Sequence, residues 1–266
     1  MIQIKKTNQI EIMREGGALL GRILKIIGER AKPGVSTAEL DKVARDLVFA
    51  CGAKPAFEGY EGFPGTICTS VNEQIVHGAP SDQKLKKGDV VGLDLGVLYP
   101  VGQCSSCPLG HSCNPTGEPF FTDAAITVAV GEASAEAAKL IFVAKKALDL
   151  AIEKIKPGIH LSDISAAIQK YVESEGFSVI RNLVGHGVGK ELHEEPEIPN
   201  FGQPGQGPIL KEGMVLAIEP MIAAGHYALK QSADGFGYET KDESLTAHFE
   251  HTIAVTKNGG EVLTKA

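Results

Sequence analysis

The hydrophobic and polar positions of the chain follow one pattern twice. Apolar residues recur at three- and four-residue spacing through 16–31 and again through 137–155, which is typical of amphipathic helices. A Lys-Pro-Gly triplet follows each stretch, beginning at Lys32 and at Lys156. A second helix-like stretch follows each triplet. The pattern therefore predicts an internal duplication, with two helices joined by a turn in each half.

The second helix of each half carries signals for its start and its end. Ser36 and Glu39 fit a capping box, and Gly52 is placed to end the first of these helices. In the second half, Ser162 is predicted to cap the helix and Gly176 to end it. The same order of signals in both halves supports the duplication.

Strand-like segments follow the helices and repeat as well. Segment 85–94 reads LKKGDVVGLD and segment 210–219 reads LKEGMVLAIE, and they align without a gap. Each ends in an acid, Asp94 or Glu219, and a later pair, Asp123 and Glu250, recurs at nearly the same spacing. Each half then reads helix, turn, helix, strands. We expect one α+β domain over residues 1–266, with a site shared between the halves.

Four acids and one histidine are the candidate metal ligands. On each strand, glycine, alanine or threonine occupies at least one of the two positions two residues from the acid, so a small side chain shares its face. A single strand acid is more often a surface group, and a histidine between glycines is often part of a turn. Four acids on one surface repel unless a cation neutralises them, and this donor set suits one or two Mn²⁺, Fe²⁺, Co²⁺ or Zn²⁺ ions. The candidate ligands are Asp94, Asp123, His186, Glu219 and Glu250.

Composition narrows the class of protein. Of the 266 residues, 43% are hydrophobic and 22% charged, as in ordinary globular proteins, and the net charge is −7. That charge disfavours broad binding to nucleic acids or anionic membranes. The first residues lack the apolar core of a signal peptide, and no segment approaches membrane-spanning length. The five cysteines are an odd number, which favours a reducing, cytoplasmic setting.

Five sequence strings resemble one known family across essentially the whole chain. They are, in order, SVNEQIVHGAP, LVGHGVG, LHEEPEIPNFG, LAIEPMI and FEHTI. The chain is similar in these motifs to type I methionine aminopeptidases. The resemblance implies the pita-bread fold, an α+β architecture whose duplicated halves are related by pseudo-two-fold symmetry around a central antiparallel sheet.

The resemblance also implies a role for individual residues. It assigns the five candidate ligands to a two-ion centre and gives two histidines, His77 and His193, contacts with the substrate. Family members often have tyrosine at the position of Phe63 and tryptophan at that of Phe236, so the shape of the pocket here is expected to differ. The residues implied for the methionine pocket are Tyr60, Phe63, Cys68 and Phe236.

The implied reaction is metal-dependent removal of the initiator methionine from proteins with a small second residue. Glu219 is expected to relay a proton to the leaving amine as well as to bind metal. His193 is expected to donate to the carbonyl oxygen, and His77 to contact the scissile amide nitrogen. The implied cofactors are two divalent ions among Co, Mn, Fe(II) and Zn. The implied partner is a nascent chain at the ribosome, met by a cytoplasmic monomer.

Two alternatives bear on this interpretation. Proline-specific relatives carry a large amino-terminal domain, which this chain is expected to lack. Type II methionine aminopeptidases carry an added helical subdomain between the last two acids, and the separation of only 31 residues between Glu219 and Glu250 leaves no room for it. A non-catalytic binding protein could keep the same fold. Such relatives lose metal ligands, whereas all five candidate ligands are present here.

A cysteine-rich insertion at about residues 101–119 departs from the family pattern. Glycine, proline, serine and asparagine predict an irregular loop there. Its cysteines and histidine have the order C-x2-C-x3-H-x-C, which permits a compact structural zinc site. A disulfide in the loop and exposed thiols are the alternatives. The candidate ligands of this second metal site are Cys104, Cys107, His111 and Cys113.

Overall fold

The computed structural model describes residues 1–102, 107–110 and 117–266. The helices are α1 (Thr7–Arg30), α2 (Thr37–Ala50), α3 (Ala135–Lys154) and α4 (Leu161–Ser174), with a short 3-10 turn at Tyr60–Gly62. The strands are β1 (Lys54–Pro55), β2 (Cys68–Val71), β3 (Gln74–Val76), β4 (Val90–Tyr99), β5 (Phe120–Ala129), β6 (Ser178–Val179), β7 (Val184–Gly187), β8 (Glu194–Pro199), β9 (Val215–Ile218), β10 (Met221–Ala223), β11 (Leu229–Gln231), β12 (Tyr238–Thr240), β13 (Thr246–His248), β14 (Glu250–Thr256) and β15 (Gly259–Val262).

An antiparallel sheet forms the centre of the molecule. Its strands run in the order β1-β4-β5-β14-β9-β7-β8, with β2 added beside β4 and β15 beside β14. Two smaller sheets, β13-β10-β6 and β11-β12-β3, lie beside it. The neighbouring strands β5 and β14 come one from each half of the chain and pair with each other. The sheet therefore joins the halves at its centre.

The two Lys-Pro-Gly turns are held in the same way in both halves. Gly34 and Gly158 adopt positive φ angles of 90° and 94°, a conformation that glycine takes without strain. The Gly34 N–H donates to the Leu85 carbonyl at 2.8 Å, and the Gly158 N–H donates to the Leu210 carbonyl at 2.9 Å. Equivalent turns with equivalent hydrogen bonds confirm the predicted duplication.

The helix starts agree with the sequence in the first half and differ in the second. Ser36 caps α2, and its backbone N–H donates to the Glu39 carboxylate at 2.7 Å. The prediction for Ser162 is wrong, because α4 begins earlier, after His160. The Asp163 carboxylate accepts from the His160 N–H at 3.0 Å. An acid at the third helical position thus replaces the expected serine cap.

All four helices pack on one face of the central sheet. Val91, Leu93 and Leu95 point into the hydrophobic core under α1 and α2, while Leu216 and Ile218 point into the core under α3 and α4. Because side chains alternate along a strand, the opposite face carries the acids. Among the described residues, no helix is long and apolar enough to cross a membrane.

The structure contradicts the zinc hypothesis at Cys107. This residue forms a disulfide with Cys51 at the end of α2, with Cα atoms 4.6 Å apart. A sulfur in a disulfide does not serve as a thiolate ligand. Spacing within the loop did not reveal the pair, because Cys51 lies far away in the sequence. The other three candidate ligands, Cys104, His111 and Cys113, lie outside the described residues.

Candidate active site

Five neighbouring strands of the central sheet bring the candidate metal ligands together. The strand order β4-β5-β14-β9-β7 places one ligand on or directly beside each strand. Asp94 and Glu250 both pair with Ala125, so the two acids flank one alanine across three strands. His186 pairs with Ala217 in the same way. Small residues between the ligands leave space above the sheet.

The ligand atoms lie within reach of one another. One donor atom from each of Asp123, His186 and Glu250 lies within 4.8 Å of the others, a spacing that could hold a metal ion. A Glu219 oxygen lies 3.8 Å from His186 Nε2. Asp94 contacts Asp123 through a side-chain hydrogen bond. All five candidate ligands therefore belong to one cluster.

Within the described part of the chain, three buried carboxylate oxygens of this cluster lack a hydrogen-bond partner. They belong to Asp94, Asp123 and Glu250. Buried polar atoms are normally paired, since desolvation without compensation is costly. Burial and neighbouring carboxylates raise the pKa values of Asp94 and Glu250 well above the ordinary range, and that of Asp123 to about 7. Burial likewise raises the pKa of Glu219. This donor set fits a divalent cation.

The orientation of His186 suits a metal ligand. Its Nδ1 lies 2.8 Å from the Gly187 carbonyl oxygen. Because a carbonyl oxygen can only accept a hydrogen bond, Nδ1 carries the ring proton and donates it. The Nε2 atom then carries the free lone pair, and it faces Glu219. Burial lowers the pKa of His186 to about 4, so the ring is neutral near pH 7. A metal-binding histidine is typically held by this kind of hydrogen bond at its other nitrogen.

The cluster forms the floor of a cavity of about 740 Å³. His193 stands at its wall, with its ring centre 4.5 Å from that of His186. The Tyr60 hydroxyl lies 3.0 Å from His193 Nδ1. When the phenol donates this bond, the proton of the neutral imidazole is on Nε2. The cavity lining includes every residue predicted for the acid–histidine metal centre and the substrate pocket, namely Tyr60, Phe63, Cys68, His77, Asp94, Asp123, His186, His193, Glu219, Phe236 and Glu250.

Aromatic side chains form the apolar side of the cavity. Phe63 and Phe236 meet edge to face with ring centres 5.6 Å apart. Cys68 pairs with Asp94 across β2 and β4, so its buried thiol lies between the aromatic rings and the acids. His77 has a positive φ of 59°, which is uncommon outside glycine. Strain of this kind is often found at functional sites.

Two further residues support the site and were not predicted. His248 is buried, and its Nε2 lies 3.3 Å from a Glu219 oxygen. It lies two residues before Glu250, and this spacing is the signal that could have revealed it. Asp234 accepts hydrogen bonds from the Phe236 N–H at 2.9 Å and the Ala79 N–H at 3.1 Å. It thereby ties the Phe236 loop to the segment that carries His77.

A curled antiparallel sheet with a buried carboxylate–imidazole cluster under an open cavity defines a metal-dependent hydrolytic centre. The chain belongs to metallopeptidase family M24, whose family model matches residues 11–107 and 113–257. Residues 108–112 of the insertion fall outside that match. The five candidate ligands all lie within it.

Comparisons with individual proteins show which members of the family this chain is most similar to among those compared. Methionine aminopeptidases from Clostridium acetobutylicum and Bacillus subtilis are 46% and 44% identical to this chain, each over 99% or more of both sequences. The crystal structure of a Thermotoga maritima methionine aminopeptidase is 42% identical, has a TM-score of 0.90 and covers 100% of both chains. A Pyrococcus horikoshii prolidase is 25% identical with a TM-score of 0.73, and the chain covers 63% of its length. These likenesses confirm the predicted pita-bread fold.

Proposed function

We propose that this protein removes the initiator methionine from newly made polypeptides in a metal-dependent reaction. The observation that carries the proposal is one cavity that joins an aromatic slot to a buried acid cluster, in which several described carboxylate oxygens lack a hydrogen-bond partner. The similarity to methionine aminopeptidases along the full chain supports the same activity.

The shape and polarity of the cavity suit an amino-terminal methionine. Phe63, Phe236 and Tyr60 offer ring faces and edges to an unbranched, polarisable side chain, and thioether sulfur packs well against aromatic rings. The acid cluster at the floor favours the positively charged amino group of a free chain end. An aminopeptidase needs this combination of an apolar slot and an anionic end.

The proposed ligands Asp94, Asp123, His186, Glu219 and Glu250 would hold one or two divalent ions. An ion bound there supplies Lewis acidity, which polarises a carbonyl and makes water acidic enough to act as a nucleophile.

The surrounding side chains would handle the protons. Glu219 lies between His186 and His248, and burial favours its protonated form, so it suits a proton carrier. His193 would donate from Nε2 to the substrate carbonyl as negative charge develops there. Burial lowers the pKa of His77 to about 4, so His77 would act as a neutral hydrogen-bonding group at the scissile amide.

Peptide cleavage after removal and return of metal tests the proposal. The purified protein should release methionine from Met-Ala-Ser, lose activity on stringent chelation, and regain it with Mn²⁺, Fe²⁺ or Co²⁺. Glu250→Ala should abolish both metal binding and turnover. Glu261→Ala is the matched control, because this partly exposed glutamate lies on β15 and pairs with Arg14 of α1 at the surface. Equal cleavage of Leu- or Lys-initiated peptides would contradict the methionine assignment, and full activity after chelation would contradict the metal requirement.

The remaining details are part of the same proposal. We expect two ions per active chain, a preference for small second residues, and action by a cytoplasmic monomer on chains leaving the ribosome. Residues 1–266 would act as one catalytic unit, since the strands of both halves contribute to the cluster. Titration of metal against activity, a panel of second residues and sedimentation of the purified protein would test these points.

A further inference from the structure

Lys5 is a buried lysine outside the proposed catalytic machinery. Its ammonium group forms an ion pair with Glu194, and the two side chains are 4% and 6% exposed. Burial lowers the pKa of Lys5, whereas the Glu194 carboxylate opposes that change. Buried charges of this kind are costly unless they are paired.

The backbone of Lys5 is fixed to the turn before β9. Its N–H donates to the Gly213 carbonyl at 2.7 Å, and the Gly213 N–H donates to the Val255 carbonyl at 2.9 Å. A Cβ atom at Gly213 would lie 2.7 Å from Ile4 Cγ2 and 2.8 Å from the Lys5 carbonyl oxygen. Only glycine lets the amino-terminal segment approach this closely. The backbone of Lys5 is thus anchored beside strands β9 and β14 of the central sheet.

Glu194 holds the loop that carries His193. One of its oxygens accepts from the Lys190 N–H at 2.7 Å and the Glu191 N–H at 3.3 Å. The other oxygen pairs with Lys5, whose side chain crosses over Gly189. A Cβ at Gly189 would lie 2.9 Å from Lys5 Nζ, so the loop leaves just enough room for the ammonium group. Glu194 closes the loop directly beside His193.

We propose that Lys5 is a positioning residue for His193, acting through Glu194. Lys5 neutralises the buried carboxylate, and the carboxylate then stays inside the loop and fixes its backbone. With the charge of Lys5 removed, Glu194 turns toward water, the loop opens and His193 leaves its place above the acid cluster. The catalytic consequence rests on the proposed function, whereas the placement of His193 is a structural claim that stands without it.

Substitution of Lys5 by an uncharged residue of similar length tests the claim. Lys5→Met should lower kcat for Met-Ala-Ser by roughly 10- to 100-fold, the scale expected when a catalytic group is displaced by about 1 Å. Metal content should stay as in the wild type, because Lys5 bonds to Glu194 and Gly213, which are not proposed ligands. Lys190→Met is the control in the same loop: its ion pair with Glu118 is more than half exposed, and kcat should change less than about twofold.

A double-mutant cycle separates positioning from general destabilisation. His193→Ala alone should lower kcat by about 10²- to 10³-fold. In that background Lys5→Met should change kcat by less than about threefold, because the group that Lys5 positions is gone. If the two substitutions lower kcat independently, so that the loss in the double variant is the product of the two single losses, the proposal is overturned. Lys5→Arg is the second variant if Lys5→Met does not fold. It keeps the charge but forces a wider head past Gly189, and its smaller loss of kcat should vanish in the same background.

The imidazole signals of His193 give a readout that needs no activity. In metal-free protein with ¹⁵N-labelled histidine, Lys5→Met should shift the ring signals of His193 and leave those of His160, at the start of α4, unchanged. Lys190→Met should shift neither. Unmoved His193 signals in a folded Lys5→Met protein would overturn the proposal. Wild-type protein that cleaves no methionine peptide with any metal would overturn the proposed function instead, and the ring signals would still decide the role of Lys5.

Discussion

Replacing Asp123 by asparagine should stabilise the metal-free protein, and the gain should grow with pH. Asp123 is buried, and burial together with the charge of Glu219 raises its pKa from an ordinary 3.8 to about 7. The folded state therefore holds this proton more tightly than the unfolded state. The stability that the protonated Asp123 contributes to the folded state is complete below pH 3.8 and is lost as the pH rises toward about 7. Asparagine has nearly the same shape and no charge, so it escapes this loss.

The size of the effect follows from the change in pKa. Each tenfold change in proton affinity is worth about 1.4 kcal/mol. The rise from 3.8 to about 7 corresponds to roughly 4 kcal/mol of lost stability above neutral pH. Part of this loss has already occurred by about pH 5, so the advantage of asparagine should grow by roughly 3 kcal/mol between about pH 5 and pH 8. Such a change is a large share of the stability of an ordinary domain.

Urea unfolding of both proteins in strong chelator, at about pH 5 and pH 8, measures the effect. Asp149→Asn is the control, because this carboxylate is partly exposed beside Lys145 and its replacement should matter little at either pH. With saturating Mn²⁺ the order should reverse, since the wild type gains the binding energy and the variant has lost a ligand. A gain that does not change with pH would refute the reasoning, as would a wild type that is the more stable protein in chelator at pH 8.

Three further predictions concern other parts of the molecule. Glu219→Ala should lose both metal and turnover, whereas His77→Ala should keep its metal and lose turnover by roughly 10²- to 10⁴-fold; metal analysis that shows loss of metal from the His77 variant would contradict the assignment. Phe236→Ala should raise KM for methionine peptides more than it lowers kcat, because it removes packing around the side chain; an unchanged KM would exclude Phe236 from the pocket. Reductant should lower the melting temperature of the wild type but not of Cys107→Ser, because the disulfide closes a separation of 56 residues, worth roughly 4 kcal/mol in chain entropy. Activity should survive that substitution, and a melting temperature insensitive to reductant would argue against the pair with Cys51.

Local patterns in the sequence were enough to predict most elements of the fold and the composition of the acid cluster. Apolar spacing located α1 and α3, and strand alternation put Asp94, Asp123 and Glu250 on faces that they share with small side chains. These inferences work because a residue's neighbours within one turn or one strand decide which face it occupies. The repeat then tied the halves together. Local rules failed at Ser162, where an acid three residues after His160 supplies the helix start.

Tertiary structure alone decided which distant residues meet. The strand order that gathers the ligands, the pair of Cys51 with Cys107 and the contact of His248 with Glu219 all join residues far apart along the chain. The buried pair of Lys5 with Glu194 belongs to the same class: a lysine near the start of a chain reads as a surface residue until the fold buries it. Sequence patterns report the conformation and face of a short segment, whereas such contacts depend on how the whole chain closes around its core.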